Sequence, residues 1–246
     1  MYVILAVIAA ILVLIPTLIL IANKKDQEYL DKIKEKMNGT EPTAIYIARP
    51  TYYYCNMLKP ITEELKKDYQ LDYYEINTDD ISNSLLEKVL KLLKVESSSF
   101  GTPYIAIVQN GKVIGEQRGY ANEASTFEVF KKYGIISKEA NLWYVPMTQA
   151  DFLTKMPESD KKYVFIGNDQ ESETHAMKSV LKEVAQTAGK QIYYLEIGSE
   201  ESIDDLMKAL GMEKTSFSTP LLISIENGQI VKADANSQSA YESFLK

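Results

Sequence analysis

A pair of turn signals that recurs at a fixed distance does most to limit what this chain can fold into. Thr102-Pro103 followed by Asn110-Gly111 returns as Thr219-Pro220 followed by Asn227-Gly228, each member 117 residues after its counterpart. Ser99-Phe100 and Ser216-Phe217 extend the match upstream without a gap. Between each proline and its Asn-Gly lies an apolar run, YIAIV in one case and LLISI in the other. Asn-Gly after such a run predicts a hairpin, because both residues accept the positive φ of a type I′ turn. The spacing therefore predicts a turn, a strand, a hairpin and a second strand, twice over. Self-similarity at a constant offset is the signature of a duplicated structural unit.

The flanking segments extend the repeat. Tyr73-Tyr74 with Ile76 is echoed by Tyr193-Tyr194 with Glu196-Ile197, and the β-prone run 44–48 (AIYIA) by 163–166 (YVFI). Phe127-Glu128 and Phe130 meet Tyr241-Glu242 and Phe244 near the C-terminal end of each copy. Each copy then reads strand, helix, strand, helix, hairpin, helix. Leu85, Leu86, Val89, Leu90 and Leu93 mark one face of an amphipathic helix, with its N-cap expected within 77–80. Before the first copy, Tyr29, Ile33 and Met37 stripe a charged helix over 26–37; before the second, LWYVPM predicts a strand and 148–156 a helix capped by Thr148. The expected organisation is an anchor over 1–23, a first domain over 24–134, a joint over 135–141 and a second domain over 142–246.

Composition excludes several classes of function. Apolar residues at 46% and charged residues at 25% are globular values. A net charge of −7 without a Lys/Arg cluster argues against nucleic acid as a partner. Cys55 is the only cysteine and His175 the only histidine. The chain therefore has no internal disulfide, and neither a metal site nor a cofactor is expected. Residues 1–22 carry no charge, and 22 residues at about 1.5 Å each suffice to cross a hydrocarbon core of about 30 Å. No basic residue precedes this run and no small-residue cleavage site ends it, so an uncleaved single-pass anchor is expected. Lys24, Lys25, Lys32, Lys34 and Lys36 follow the span, which favours keeping the soluble part in the cytoplasm; the cell-envelope side is the alternative.

The stretch 49–60, RPTYYYCNMLKP, completes the picture. With a strand before it, Cys55, Pro60 five residues after the cysteine, and then Thr102-Pro103 and a hairpin, the first copy resembles a thioredoxin fold, and the second copy resembles it through the repeat. The resemblance implies an α/β protein: an N-terminal transmembrane helix followed by two tandem thioredoxin-like domains, each a central mixed sheet flanked by helices. It also implies a damaged active site. Thioredoxins open this helix with Cys-X-X-Cys and place the proline five residues beyond the second cysteine. By that count Cys55 is the resolving position, and Tyr52 stands where the attacking thiol belongs. Thr51 replaces the family's tryptophan, and Tyr46 stands in place of its buried acid. In the second copy, matching Met177 to Met57 puts Ser172 and His175 at the two thiol positions. Ser172 or Asp169 is most simply a helix N-cap there.

One cysteine cannot both attack a disulfide and release the mixed disulfide. Cys55 reads either as a small buried apolar residue or as a reactive thiol. What survives the loss of redox chemistry is the peptide-binding surface that the resemblance implies. Its backbone contact would come from Thr102 before Pro103 and from Thr219 before Pro220, a short β-augmentation of an extended partner. Tyr52, Tyr53 and Tyr54 lie beside the first, and tyrosine suits the centre of an interface. The leading expectation is a redox-inactive, membrane-anchored scaffold or accessory subunit that binds a protein or peptide. A degenerate thiol-disulfide oxidoreductase acting through Cys55 is the alternative, and a passive spacer the third reading.

Overall fold

The computed structural model describes residues 21, 24–137, 142–155, 158–198, 204–211, 218–234 and 238–245. The expected span over 1–22 therefore lies outside the described residues, except Ile21, as does 138–141 of the expected joint. Among the described residues, no helix is long and apolar enough to cross a membrane. By its contacts the chain divides into two compact units, one of 1–120 with 129–136, the other of 121–128 with 137–246.

The first unit is a four-stranded sheet in the order β2-β1-β3-β4. Strand β1 (Thr43–Ala48) pairs in parallel with β2 (Tyr73–Asn77) and antiparallel with β3 (Tyr104–Gln109), which continues antiparallel into β4 (Lys112–Arg118). All six residues of β1 are buried, as its near-continuous apolar sequence requires of a strand covered on both faces. Ile45 and Ile47 point to one side, where Leu30, Ile33 and Met37 of helix α1 (24–38) meet Leu85, Val89, Leu90 and Leu93 of α3 (Asn83–Leu93). Tyr46 points to the other, where its hydroxyl donates to the carbonyl of Cys55 in α2 (Tyr53–Tyr69). Alternation along one strand thus holds helices on both faces. Each fully buried Leu or Ile side chain in these layers contributes about 1.5–3 kcal/mol.

The second unit is a five-stranded sheet in the order β5-β7-β6-β8-β9. Its centre repeats the pattern: β6 (Lys162–Gly167) pairs in parallel with β7 (Ile192–Glu196) and antiparallel with β8 (Leu221–Glu226), and β9 (Gln229–Asp234) closes the hairpin. Tyr163 and Phe165 face α6 (Ser172–Ala188) and α8 (Gln238–Phe244), whereas Val164 and Ile166 face α5 (Gln149–Lys155) and α7 (Asp204–Leu210). The additional strand β5 (Tyr144–Met147) lies in parallel along the free edge of β7. It carries Pro146, which an edge strand tolerates because one side of it needs no ladder donor. As expected, Thr148 caps α5: its hydroxyl accepts the Asp151 N–H at 3.1 Å while the Asp151 carboxylate reaches back to the Thr148 N–H.

Both sheets place a parallel pair beside an antiparallel hairpin, with a helix between the first two strands. That is the thioredoxin-like arrangement the resemblance implies, in two units. The correspondence extends to detail. Both Thr-Pro peptides are cis, and both Asn-Gly turns have positive φ at each residue. The hairpins even slip register at equivalent points, between Ile107 and Val108 and between Ser224 and Ile225.

Candidate functional site

The site in the first unit is a turn held in place by the next loop. After β1, the Tyr52 N–H bonds to the Arg49 carbonyl at 2.9 Å, closing the turn 49–52. Asp79, in the loop after β2, takes the Arg49 guanidinium at 3.4 Å and the Thr51 hydroxyl at 3.4 Å. Helix α2 begins immediately beyond, with Tyr52 as its N-cap and no side-chain cap. Held from behind in this way, the turn presents Tyr52, Tyr53 and Tyr54 outward at 42%, 65% and 47% exposure. Their rings pack edge to face, Tyr52 against Tyr54 at 5.6 Å and Tyr53 against Tyr54 at 5.3 Å between centres. Tyr54 also meets Tyr120 at 6.4 Å. The Gly119 N–H bonds to the carbonyl of Pro103 at 2.9 Å. The tyrosines, Tyr120 and the Thr102-Pro103 turn are therefore parts of one surface. Tyr120 was not visible in the sequence as a site residue; its only signal was its place next to Gly119 at the end of β4.

Cys55 lies one step inside. It is 2% exposed, and its sulfur accepts the Arg49 N–H at 3.4 Å. The thiol thus satisfies the first backbone donor after β1 rather than facing a substrate. Beneath it the rings of Tyr46 and Tyr73 pack at a tilt of 36° with centres 5.8 Å apart, and burial pushes both phenols well above the usual tyrosine range. The Tyr73 hydroxyl donates to Thr62 at 3.1 Å. These are neutral, hydrogen-bonded groups, and none can act as a proton acceptor for a thiol at neutral pH.

In the second unit the same geometry recurs one residue earlier than the match of Met177 to Met57 implies. The Glu171 N–H bonds to the Asn168 carbonyl at 2.9 Å, Glu171 is the N-cap of α6, and Thr174 Oγ1 accepts the Asn168 N–H at 3.2 Å. Arg49 and Asn168, Tyr52 and Glu171, Cys55 and Thr174 thus correspond, each pair 119 residues apart. By these bonds Glu171 and Thr174, rather than Ser172 and His175, are the counterparts of Tyr52 and Cys55. Ser172 and His175 stand in solvent on the first turn, and neither Ser172 nor Asp169 caps the helix. The offset shifts from 119 to 117 only after β7, because the second copy is two residues shorter before its cis-proline. A second difference lies beside the cis-proline. The Thr219 hydroxyl donates to the Glu171 carboxylate at 2.8 Å, so the threonine beside Pro220 is engaged by its own chain. Among the described residues no such bond ties the Thr102 side chain in the first unit. Among the described residues no cluster of three or more His, Cys, Asp or Glu is arranged to hold a metal ion.

No known protein-family profile matches the chain. No curated protein matches it either. Among solved structures, it is similar to a thioredoxin from Malassezia sympodialis (15% identity, 42% of this chain and 84% of that one, TM-score 0.34). Mitochondrial thioredoxin 3 from Saccharomyces cerevisiae gives 17% identity over 42% and 89% of the two chains, TM-score 0.34. A thioredoxin from Trypanosoma brucei brucei gives 14% over 42% and 82%, TM-score 0.34.

Proposed function

We propose that this chain is a redox-inactive, tandem thioredoxin-like protein, anchored in a membrane by residues 1–22, whose first unit binds an extended segment of a partner protein. Tyr52, Tyr53, Tyr54 and Tyr120 form the contact face, and the backbone of Thr102 beside Pro103 supplies the strand-like hydrogen bonds. One observation carries this reading: three consecutive aromatic side chains stand in solvent where the attacking thiol would be, while the only thiol is buried beneath them. Large exposed rings in contact with one another bring area at low rotamer cost, which suits a docking surface. In the second unit the backbone of Thr219 beside Pro220 is the corresponding contact, while its hydroxyl is already bonded to Glu171.

The test begins with a photo-crosslinking residue at Tyr53 in cells and a control at exposed Gln186. With the adduct identified, binding is measured on purified components. Tyr52→Ala and Tyr54→Arg are each expected to weaken it by about tenfold or more, equal to about 1.4 kcal/mol. Unchanged affinity in both variants overturns the site. Rapid labelling of Cys55 by a bulky maleimide in the folded protein overturns the redox-inactive part and restores the thiol enzyme. For the anchor, the full chain is expected to resist carbonate extraction and a chain lacking 1–22 to be released. Soluble domains digested by protease added to intact cells would place them outside the cytoplasm and reverse the expected orientation.

A further inference from the structure

A group of charged side chains that the docking face does not use gathers inside the second unit. Lys178 of α6 is 2% exposed and Glu123, in the first turn of α4 (Glu123–Lys132), is 1% exposed. Their ammonium and carboxylate form a short ion pair. The same ammonium reaches Asp169, in the loop after β6, at 3.3 Å, and lies over the rings of Tyr194 on β7 at 4.5 Å and Tyr144 on β5 at 5.8 Å. The Tyr194 hydroxyl donates to Asp169. Lys182, one turn along α6, stands over Tyr144 at 4.3 Å. Glu196, the last residue of β7, faces this group: its carboxylate accepts the backbone N–H of Glu123 and feels the charges of Asp169, Glu123 and Lys178.

Three carboxylates therefore converge on the Lys178 ammonium in a volume with little water. Two of them, Glu123 and Asp169, already hold that ammonium. A third negative charge beside them lacks solvation and meets like charges, which raises the energy of the ionised form. Burial first, and Asp169 and Glu123 next, push the Glu196 carboxyl up to about 7. A protonated Glu196 can still accept the Glu123 N–H through its carbonyl oxygen while adding no charge. An ionised one must be resolvated, and the cheapest route is to open the short first turn that covers it.

We propose that Glu196, Glu123, Asp169 and Lys178 form a proton-operated clasp on the first turns of α4. With Glu196 protonated, the turn is held against α6 and the end of β7. With its proton given up to water, the turn is released.

Amide hydrogen exchange on the full chain tests the clasp across about pH 5.5 to 8.5, corrected for the intrinsic rate. Protection of residues 124–128 is expected to fall about tenfold through neutral pH in the native chain. Glu196→Gln, isosteric and always neutral, is expected to remove the step. Glu123→Gln removes a repelling charge and frees Lys178 toward Glu196, so the step should move to lower pH. A flat profile in the native chain overturns the proposal, as does an unchanged step in Glu196→Gln. Should Glu196→Gln not fold, an unmoved midpoint in Glu123→Gln overturns it on its own.

Discussion

Cys55 and Thr174 do one job with different atoms. Each accepts the N–H of the residue that leaves the central strand, at 3.4 Å to sulfur and 3.2 Å to oxygen. This equivalence makes a prediction within the first unit. Cys55→Thr keeps an acceptor and should change stability by less than about 1 kcal/mol, whereas Cys55→Val, similar in shape, leaves the Arg49 N–H unpaired and should cost about 1–3 kcal/mol. Urea denaturation of both variants checks it, and the reverse ranking would remove sulfur as a structural acceptor. Tyr53→Ala touches only exposed surface, so stability should stay within about 0.5 kcal/mol while partner affinity drops. At this scale the sequence was half legible. The burial of Cys55 was one of the two readings the sequence left open for it, and the exposure of Tyr52 was expected only through the resemblance and the count to Pro60. Thr174 was not found, because Met177 offered a match one residue out of phase and a buried threonine leaves no sign in sequence.

At the scale of elements, turns and caps were the most legible features, and they can be tested singly. Gly111 and Gly228 sit at φ +76° and +74°. A Cβ there is strained in the left-handed region, so Gly111→Ala and Gly228→Ala should each cost about 1 kcal/mol. Thermal unfolding of the pair checks this, and a neutral result in either hairpin would show that its turn can change type. Helix α3 shows where a cap was misplaced. The sequence pointed to 77–80, but Ser82 Oγ accepts the Leu85 N–H at 3.1 Å. The earlier candidates are committed elsewhere: the Asn77 carbonyl oxygen takes the Asp79 N–H at 2.9 Å and its amide donates to Asp80 at 2.8 Å. Ser82→Ala is accordingly expected to cost about 1 kcal/mol, and Asn77→Ala to disturb the loop whose Asp79 holds Arg49.

For the whole molecule, two carboxyls pull the pH dependence of stability in opposite directions. Asp72 joins α1 to the first sheet through Lys36 at 2.8 Å and the Thr43 hydroxyl at 2.9 Å. Burial alone would raise its pKa, but these bonds win and hold it below the usual carboxylate range. Its contribution is present above the ordinary pKa of an aspartate and is lost as pH falls through the lower folded value. Glu196, raised to about 7, acts in the other sense. Relative to acid, its contribution is lost as pH rises from the ordinary glutamate value through about 7, because the unfolded chain releases the proton first. Denaturant midpoints should therefore be highest at mildly acidic pH, decline as pH rises through about 7 and level off beyond it. Glu196→Gln should remove this decline between the ordinary glutamate pKa and about 7, and Asp72→Asn should flatten the acid limb. A native chain most stable at pH 8 would contradict the Glu196 assignment.

The sequence by itself determined what depends on neighbours along the chain. The duplication, the paired hairpins, the β5–α5 opening of the second copy and the absence of an internal disulfide all follow from local pattern and composition. Only the tertiary structure decided what depends on segments distant in sequence. Tyr120 joins the tyrosine face because β4 ends beside Pro103. Glu171 meets the Thr219 hydroxyl, 48 residues on, because the turn before β8 folds beside the start of α6. Lys178 survives inside the protein because carboxylates from three separate elements surround it. Hydrogen bonds and buried charges are satisfied across space, and neither spacing nor periodicity records which distant group will satisfy them.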